Sequence, residues 1–170
     1  MLFRSTLAHH VAERVPGLAA AGLESHPRDG SPIPVTAYDG QTFPFADDAF
    51  DAVLFADVLH HDTDPVGLLR EAGRVAKSLV LVKDHSPRPS LRGRLALDHT
   101  RISLMDWLAN KPYGIPCLYD YPTPAGWRDR FDAAGLELLD EQAAMQLYPR
   151  PHRWFFTPSL QYFAVTRPGG

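Results

Sequence analysis

Polar and titratable residues follow directly after four apolar runs of this chain. They are Glu24, the pair Asp39 and Gly40, the segment from Asp57 to His61, and the segment from Lys83 to His85. Ligands of open α/β sheets bind beyond the carboxyl ends of the strands, so this coincidence predicts a ligand site. An acid that closes the second strand of such a sheet can accept hydrogen bonds from a ribose. Glu24 suits that role, although an exposed loop glutamate is an equal alternative.

The Asp39 carboxylate has two interpretations. It could accept a hydrogen bond from the exocyclic amine of an adenine. Asp-Gly is also a common turn pair, because glycine tolerates positive φ and the aspartate side chain bonds the backbone that follows it. Taken without other information, Asp39 and Gly40 favour the turn.

A cluster of His60, His61, Asp62 and Asp64 invites a comparison with metal sites. Adjacent histidines usually point in different directions, and no third strong ligand follows at the spacing of zinc motifs. Asp64 is also explained as a helix cap. We therefore predict no metal. A histidine general base is favoured instead because imidazole titrates near neutrality, and His61 and His85 are the candidates.

Strand and helix signals around these residues predict a βαβ unit. Asp51–Val58 is a nearly continuous apolar run, as expected for a strand buried on both faces of a parallel sheet. Asp64-Pro65 then opens a helix, and Leu79–Val82 forms the next strand, with a right-handed crossover. Around this unit the sequence predicts further elements: a helix over Leu7–Val15, short strands at Leu18–Glu24 and Val35–Tyr38, helices over Ser90–Asn110 and from Thr123 to Gly135, and closing strands at Leu136–Tyr148 and Leu160–Thr166. The apolar members of the helix over Ser90–Asn110 are Leu91, Leu95, Leu104, Met105 and Leu108.

Composition narrows the class of protein. The 170 residues are 45% hydrophobic and 22% charged, which fits a single globular α/β domain. A net charge of -3 without a basic run argues against nucleic acid as a partner. The lone Cys117 excludes an internal disulfide framework and favours the cytoplasm. No apolar run is long enough for a membrane span, and the N-terminus does not resemble a signal peptide.

The stretch YDGQTFPFADDAFDAVLFADVLHHDTDPVGLLREAGRVAKSLVLVKDH resembles the core of the class I S-adenosylmethionine-dependent methyltransferases. The similarity runs from about Thr6 to Thr166. It implies a doubly wound, Rossmann-like sheet that is mostly parallel with an antiparallel last strand. It also implies S-adenosylmethionine as cofactor and a small-molecule methyl acceptor as partner.

Residue roles follow from the same resemblance, by position. Glu24 would bind the ribose hydroxyls, Asp39 with Gly40 the adenine, and Asp57 and His60 the methionine end of the cofactor. The residues expected to shape the acceptor pocket are Lys83, Asp84, Asp106, Asn110, Tyr113 and Tyr119. The aromatic loop residues Tyr113, Tyr119 and Tyr121 favour an organic acceptor. A base is required only if the acceptor must lose a proton, and the candidates remain His61 and His85.

The chain departs from this family at its beginning. The family's first strand ends in a glycine-rich loop, which lets the backbone approach the cofactor closely. Here only Met1–Ser5 precede the first helix, and they contain no glycine. We interpret these five residues as non-native. The absent strand would lie between the strands ending at Glu24 and Val58, and without it both strands expose unpaired edges.

Three functions follow as hypotheses. The first is methyl transfer, with weak or absent cofactor binding by this truncated chain. The second is a non-catalytic, partner-binding domain or pseudoenzyme. The third, a hydrolase using Asp and His at the strand ends, ranks last because no motif supplies an activated nucleophile.

Overall fold

The computed structural model describes residues 3–25, 27, 29–87, 94–113, 117–145 and 160–169. The chain forms two compact units, residues 1–45 and 46–170. Our prediction of one domain over residues 1–170 stays a prediction.

The first unit contains one helix and a parallel strand pair. Helix α1 spans Phe3–Arg14, and the chain turns at Gly17, whose φ is +81°. Strands β1 (Gly22–Glu24) and β2 (Val35–Ala37) pair in parallel, with Glu24 opposite Ala37. The predicted helix and both predicted strands are therefore present, with shorter strands. The carboxyl ends of β1 and β2 lie at the same edge.

The second unit is built on a four-stranded sheet in the order β3-β4-β6-β5. Its strands are β3 (Phe50–Ala56), β4 (Ala76–His85), β5 (Leu136–Ala143) and β6 (Gln161–Pro168). Strands β3 and β4 are parallel, whereas β6 runs antiparallel to both β4 and β5. The predicted βαβ unit and antiparallel last strand are confirmed, and the fold is an α/β, Rossmann-like one.

Three helices belong to this unit: α2 (Pro65–Val75), α3 (Arg94–Asn110) and α4 (Pro124–Ala134). Short 3-10 turns occur at Leu59–His61 and Lys111–Tyr113. Helix α4 begins after the Thr123 cap and ends at Gly135 with a φ of +73°, as predicted. No helix in the described part of the chain is long and apolar enough to cross a membrane.

Several predicted strand boundaries differ from the structure. Strand β3 ends at Ala56 rather than Val58, and β6 continues to Pro168 rather than Thr166. Strand β4 begins at Ala76, before the predicted Leu79, because Ala76 leaves helix α2 directly in an extended conformation. Strand β5 ends at Ala143, where Ala144 turns the chain with a φ of +69°. The end of the predicted strand at residues 146–148 and the predicted loop Pro149–Pro158 lie outside the described residues.

Helices α2 and α4 pack against each other and on the sheet. Helix α2 buries Leu68, Leu69 and Val75. Trp127 of α4 is completely buried, and its ring stacks on Tyr162 of β6 with centroids 5.8 Å apart. This layer fixes the sheet whose strand ends carry the predicted site.

Helix α3 corrects the sequence-based assignment of its apolar face. Leu104 and Leu108 are each 55% exposed, and Trp107 is 40% exposed. The buried residues one turn apart are instead Ile102, Asp106 and Asn110. The side chains of Asp106 and Asn110 therefore face the interior of the unit, because they make hydrogen bonds there.

The N-cap of α2 gives a first testable prediction. Asp64 Oδ1 accepts from the Gly67 backbone N–H at 2.8 Å. Asp64→Ala removes this acceptor and is expected to lower the free energy of unfolding by about 1 kcal/mol. Asp64→Ser supplies a hydroxyl acceptor at the same position and should retain most of it. Chemical denaturation of both variants checks this, and equal losses would contradict the capping role.

Candidate functional site

In the first unit, Glu24 and the Asp39-Gly40 pair follow the two parallel strands at one edge. The Tyr38 backbone N–H donates to the Glu24 carbonyl at 3.3 Å, which keeps the two strand ends together. Gly40 has a φ of +88°, and a Cβ added there would lie 3.8 Å from the Ser25 Cβ. The loops after β1 and β2 are therefore neighbours, and the backbone at Gly40 favours glycine.

The Asp39 side chain makes the predicted turn. Its Oδ1 accepts from the backbone N–H groups of Gln41 and Thr42, both at 2.8 Å. These two hydrogen bonds hold the pKa of Asp39 below its ordinary value. The carboxylate is thus oriented and ionised, and its contact with adenine stays a prediction.

In the second unit, Asp57 stands directly after β3 in a strained conformation. Its φ is +54°, which is uncommon for a residue other than glycine and is found preferentially at functional sites. The Asp57 N–H donates to the Lys83 carbonyl at 2.8 Å. Lys83 Nζ lies 2.6 Å from both carboxylate oxygens of Asp57, and His85 Nε2 lies 3.7 Å from Oδ1. Lys83 therefore positions Asp57, and its contact with a substrate stays a prediction.

His60 is enclosed by two carboxylates. Its side chain is 1% exposed, and Nδ1 donates to Asp84 Oδ1 at 2.5 Å. Its Nε2 lies 3.5 Å from Asp106 Oδ1. Asp84 is completely buried, and its Oδ2 accepts from the Leu59 N–H at 3.1 Å. These contacts fasten the Leu59–His61 turn to strand β4 and helix α3.

The charges of this cluster follow from its contacts. Burial alone would lower the pKa of His60, but attraction to Asp84 and hydrogen bonds to Asp106 and Asp84 raise that pKa to about 10. Burial would likewise raise the pKa values of Asp84 and Asp106, and the partner histidines outweigh it, so both pKa values are lowered. The cluster is a buried cation between two anions.

This burial bears on two predicted roles. His60 was predicted to bind cofactor and Asp84 to bind substrate, and both side chains are buried and held by several partners. A ligand could contact Asp84 only by breaking hydrogen bonds that stabilise the turn. Both roles stay predictions.

The carboxylate of Asp106 contacts three further side chains of the site. Its Oδ2 accepts from the Tyr121 hydroxyl at 3.0 Å, and its Oδ1 accepts from Asn110 Nδ2 at 2.7 Å. His61 Nε2 lies 3.3 Å from the same Oδ1 and 3.4 Å from Asn110 Nδ2. The predicted residues His61, Asp106 and Asn110 are thus brought together, although His61 and Asn110 lie 49 positions apart.

The prediction that His60 and His61 point in different directions is wrong. Their ring centroids are 4.1 Å apart, and both Nε2 atoms approach Asp106 Oδ1. The carboxylates of Asp84 and Asp106 account for this, because they draw the two rings of one short turn toward the same place. Divergence of the two rings is therefore no reason to exclude a metal ion bound by both histidines.

His85 differs from the other histidines. Its Nδ1 is buried and has no hydrogen-bond partner among the described residues. Burial lowers its pKa, so the ring is neutral near pH 7. The backbone carbonyl of His85 accepts from Trp127 Nε1 at 3.2 Å, which anchors this strand end to the core.

The tyrosines of this region differ in their burial and in their contacts with the site. Tyr121, which carried no role of its own in the sequence analysis, is buried against Asp106. Tyr119 is partly exposed, has a φ of +57°, and accepts from His99 through its carbonyl. The side chain of Tyr113 lies outside the described residues. The aromatic loop signal around Tyr121 was the only sequence sign of its part in the site.

A mostly parallel sheet with acids at its strand ends defines a Rossmann-like α/β fold, and proteins of this kind bind ligands beyond the carboxyl ends of the strands. Residues 7–81 match the methyltransferase domain family. The chain is similar to methyltransferases over these residues, and solved structures described as methyltransferases share its fold. No curated protein sequence matches the chain.

Three solved structures illustrate the fold. One comes from the complex between the Haloferax volcanii Trm112 methyltransferase activator and a protein described as a methyltransferase. It has 17% identity and a TM-score of 0.66, over 98% of this chain and 79% of that one. A protein described as a sarcosine dimethylglycine methyltransferase from Galdieria sulphuraria has 13% identity and a TM-score of 0.64, over 97% and 75%. The cyclase SpnF has 18% identity and a TM-score of 0.61, over 96% and 70%.

Proposed function

We propose that this chain transfers a methyl group from S-adenosylmethionine to a small organic acceptor. The carrying observation is the convergence of Asp57, His61, His85, Asp106 and Asn110 after strands β3 and β4 and on helix α3. Such a convergence of titratable groups beyond parallel strands is typical of a ligand site.

Residues of each unit have proposed roles in cofactor binding. Glu24 would accept hydrogen bonds from the ribose hydroxyls, and Asp39 with the Gly40 backbone would bind the adenine. Asp57, oriented by Lys83, would lie beside the methionine portion. The shared edge of β1 and β2 supports the first two roles, and the strained backbone at Asp57 supports the third.

The acceptor would lie near His61, Asp106 and Asn110, with Tyr113 and Tyr119 shaping the approach. In the reaction the acceptor nucleophile forms a bond to the methyl carbon, and the carbon–sulfur bond breaks to leave a neutral sulfide. Positioning of the two reactants supplies most of the rate enhancement. An acceptor that must lose a proton would pass it to His85, whose neutral ring supports this role, or to His61.

We further propose that the chain as given binds cofactor weakly. Among the described strands β3 pairs only with β4, and β1 with β2 forms a separate sheet. No strand precedes α1 within the described residues, so none of them supplies the backbone that cradles the cofactor in this class. The single cysteine keeps the cytoplasm as the proposed location.

Calorimetry with S-adenosylmethionine tests this proposal. We expect little or no binding by the chain as given, and binding by a chain extended at its N-terminus with a strand and a glycine-rich loop. In the binding form, Glu24→Gln is expected to weaken affinity about 10- to 100-fold, because it removes a charge-assisted hydrogen bond of about 1.5–3 kcal/mol. Glu13→Gln on the exposed face of α1 should leave affinity unchanged.

A non-catalytic, partner-binding domain is the second candidate. The observation that favours it is the exposed apolar face of α3, formed by Leu104, Trp107 and Leu108. One structural neighbour is also known from a complex with a protein activator. If neither the given nor the extended chain binds S-adenosylmethionine, methyl transfer is contradicted and this candidate takes its place.

A further inference from the structure

Three side-chain atoms converge on one point in the second unit. His60, His61 and Asp106 each offer one ligand atom, and these three atoms lie within 4.8 Å of one another. Asp106 Oδ1 is 3.5 Å from His60 Nε2 and 3.3 Å from His61 Nε2. Ligands bound to zinc at about 2.0–2.1 Å stand about 3.3 Å apart across a tetrahedral angle. The spacing therefore suits a metal ion with little movement of the side chains.

The atoms behind these ligands are also arranged as in metal sites. Metal-binding histidines usually donate their second ring nitrogen to a carboxylate, which fixes the tautomer and the ring. His60 Nδ1 donates to Asp84 Oδ1 in this way, and Asp84 is itself held by the Leu59 N–H. The second oxygen of Asp106 accepts from the Tyr121 hydroxyl. Hydrogen bonds at the atoms that do not face the metal thus orient both His60 and Asp106.

We propose that His60, His61 and Asp106 form a three-ligand site for a divalent transition-metal ion, with zinc as the best fit. Imidazole nitrogen and carboxylate oxygen are ligands that zinc accepts in four-coordinate sites. All three residues belong to the described part of the chain, and the proposal departs from the sequence-based prediction of no metal. That prediction depended on diverging histidines, and the two rings converge.

Charge balance favours an ion at this position. The two carboxylates beside the rings, Asp84 and Asp106, supply the negative charge that a divalent cation requires. Histidine binds such an ion as a neutral imidazole, so metal binding releases any proton held on the ligating nitrogen.

Three protein ligands leave coordination positions open, as in catalytic zinc sites. An oxygen of the methyl acceptor could occupy one of them, and the ion would stabilise its deprotonated form. This use of the ion rests on the proposed function. Uptake of the ion does not, so the two can fail separately.

Metal uptake is the deciding measurement. The chain is freed of metal with a chelating resin and titrated with Zn²⁺ by calorimetry, and with Co²⁺ by visible absorption, without S-adenosylmethionine. We expect one ion per chain and a Co²⁺ spectrum of nitrogen and oxygen ligation. His61→Gln and Asp106→Asn should weaken Zn²⁺ affinity at least about 100-fold. Tyr121→Phe should weaken it roughly 10-fold, the lower end for loss of a partner that orients a ligand.

Two histidines outside the cluster provide matched controls. His99→Gln removes a ring on the same helix α3, which contacts the Tyr119 carbonyl. His10→Gln removes an exposed ring beside Glu13 on α1. Both should retain full uptake, and melting temperatures verify that each variant is folded. Failure of the unchanged chain to take up one equivalent, or full uptake by folded His61→Gln, would overturn the site. A metal-binding chain without methyl transfer would contradict only the proposed function.

Discussion

Trp127→Ala is expected to lower the free energy of unfolding by about 3–5 kcal/mol. The side chain is completely buried, and its ring lies between Phe131 at 6.0 Å and Tyr162 at 5.8 Å. Truncation removes most of a large aromatic surface and leaves a cavity that a helix packed on a sheet cannot close. It also removes the Nε1 donor to the His85 carbonyl. Denaturant unfolding followed by circular dichroism measures the loss.

Two companion variants separate the effect of burial from the effect of the lost Nε1–H donor. Trp107→Ala removes the same side chain from the exposed face of α3 and should cost less than about 1 kcal/mol. Trp127→Phe retains an apolar ring but lacks the N–H donor to His85. If Trp107→Ala were as destabilising as Trp127→Ala, the assignment of the core to the α4 side of the sheet would be wrong.

Asp84→Ala has the second large expected effect, again about 3–5 kcal/mol in the free energy of unfolding. The change removes the acceptors of His60 Nδ1 and of the Leu59 and His85 backbone N–H groups, of which the first two lie in buried hydrogen bonds. A buried donor left without an acceptor costs about 1–3 kcal/mol, and more where the group is charged. Thermal and denaturant unfolding of the chelator-treated chain measure it.

An exposed pair provides the control for Asp84. Asp51 is 95% exposed and lies 3.6 Å from Lys77 Nζ, so Asp51→Ala should cost about 1 kcal/mol or less. The double variant His60→Leu with Asp84→Leu removes both charges and should recover part of the stability lost in Asp84→Ala. A double variant that is less stable than the single one would contradict the explanation by a buried donor left without its acceptor.

The helices and strands were predictable because the residues that begin and end them are close together in the sequence. Asp64-Pro65 caps α2, and Thr123-Pro124 with Gly135 brackets α4, as the sequence indicates. The ends of β1 and β3 were predictable for the same reason, and they place Glu24 and Asp57. Boundaries such as the start of β4 depend on how α2 leaves its last turn, which the apolar pattern does not encode.

The interior of the site was less predictable because its contacts are distant in sequence. His60 meets Asp84 across 24 positions, and the Tyr121–Asp106 bond spans 15. Counting apolar residues on α3 assigned Leu104 and Leu108 to the core, whereas the hydrogen bonds of Asp106 turn the helix the other way. Rules about adjacent histidines likewise ignore the carboxylates that orient them.

The strand order also determines when the strands can pair during folding. Strand β6, the last described strand in sequence, lies between β4 and β5 and is bonded to both. Until β6 has emerged from the ribosome, β4 has β3 as its only described partner in this sheet, and its other edge stays open. Such long-range pairing is formed slowly, so the sheet beneath the site can close only after residues 161–168 have left the exit tunnel.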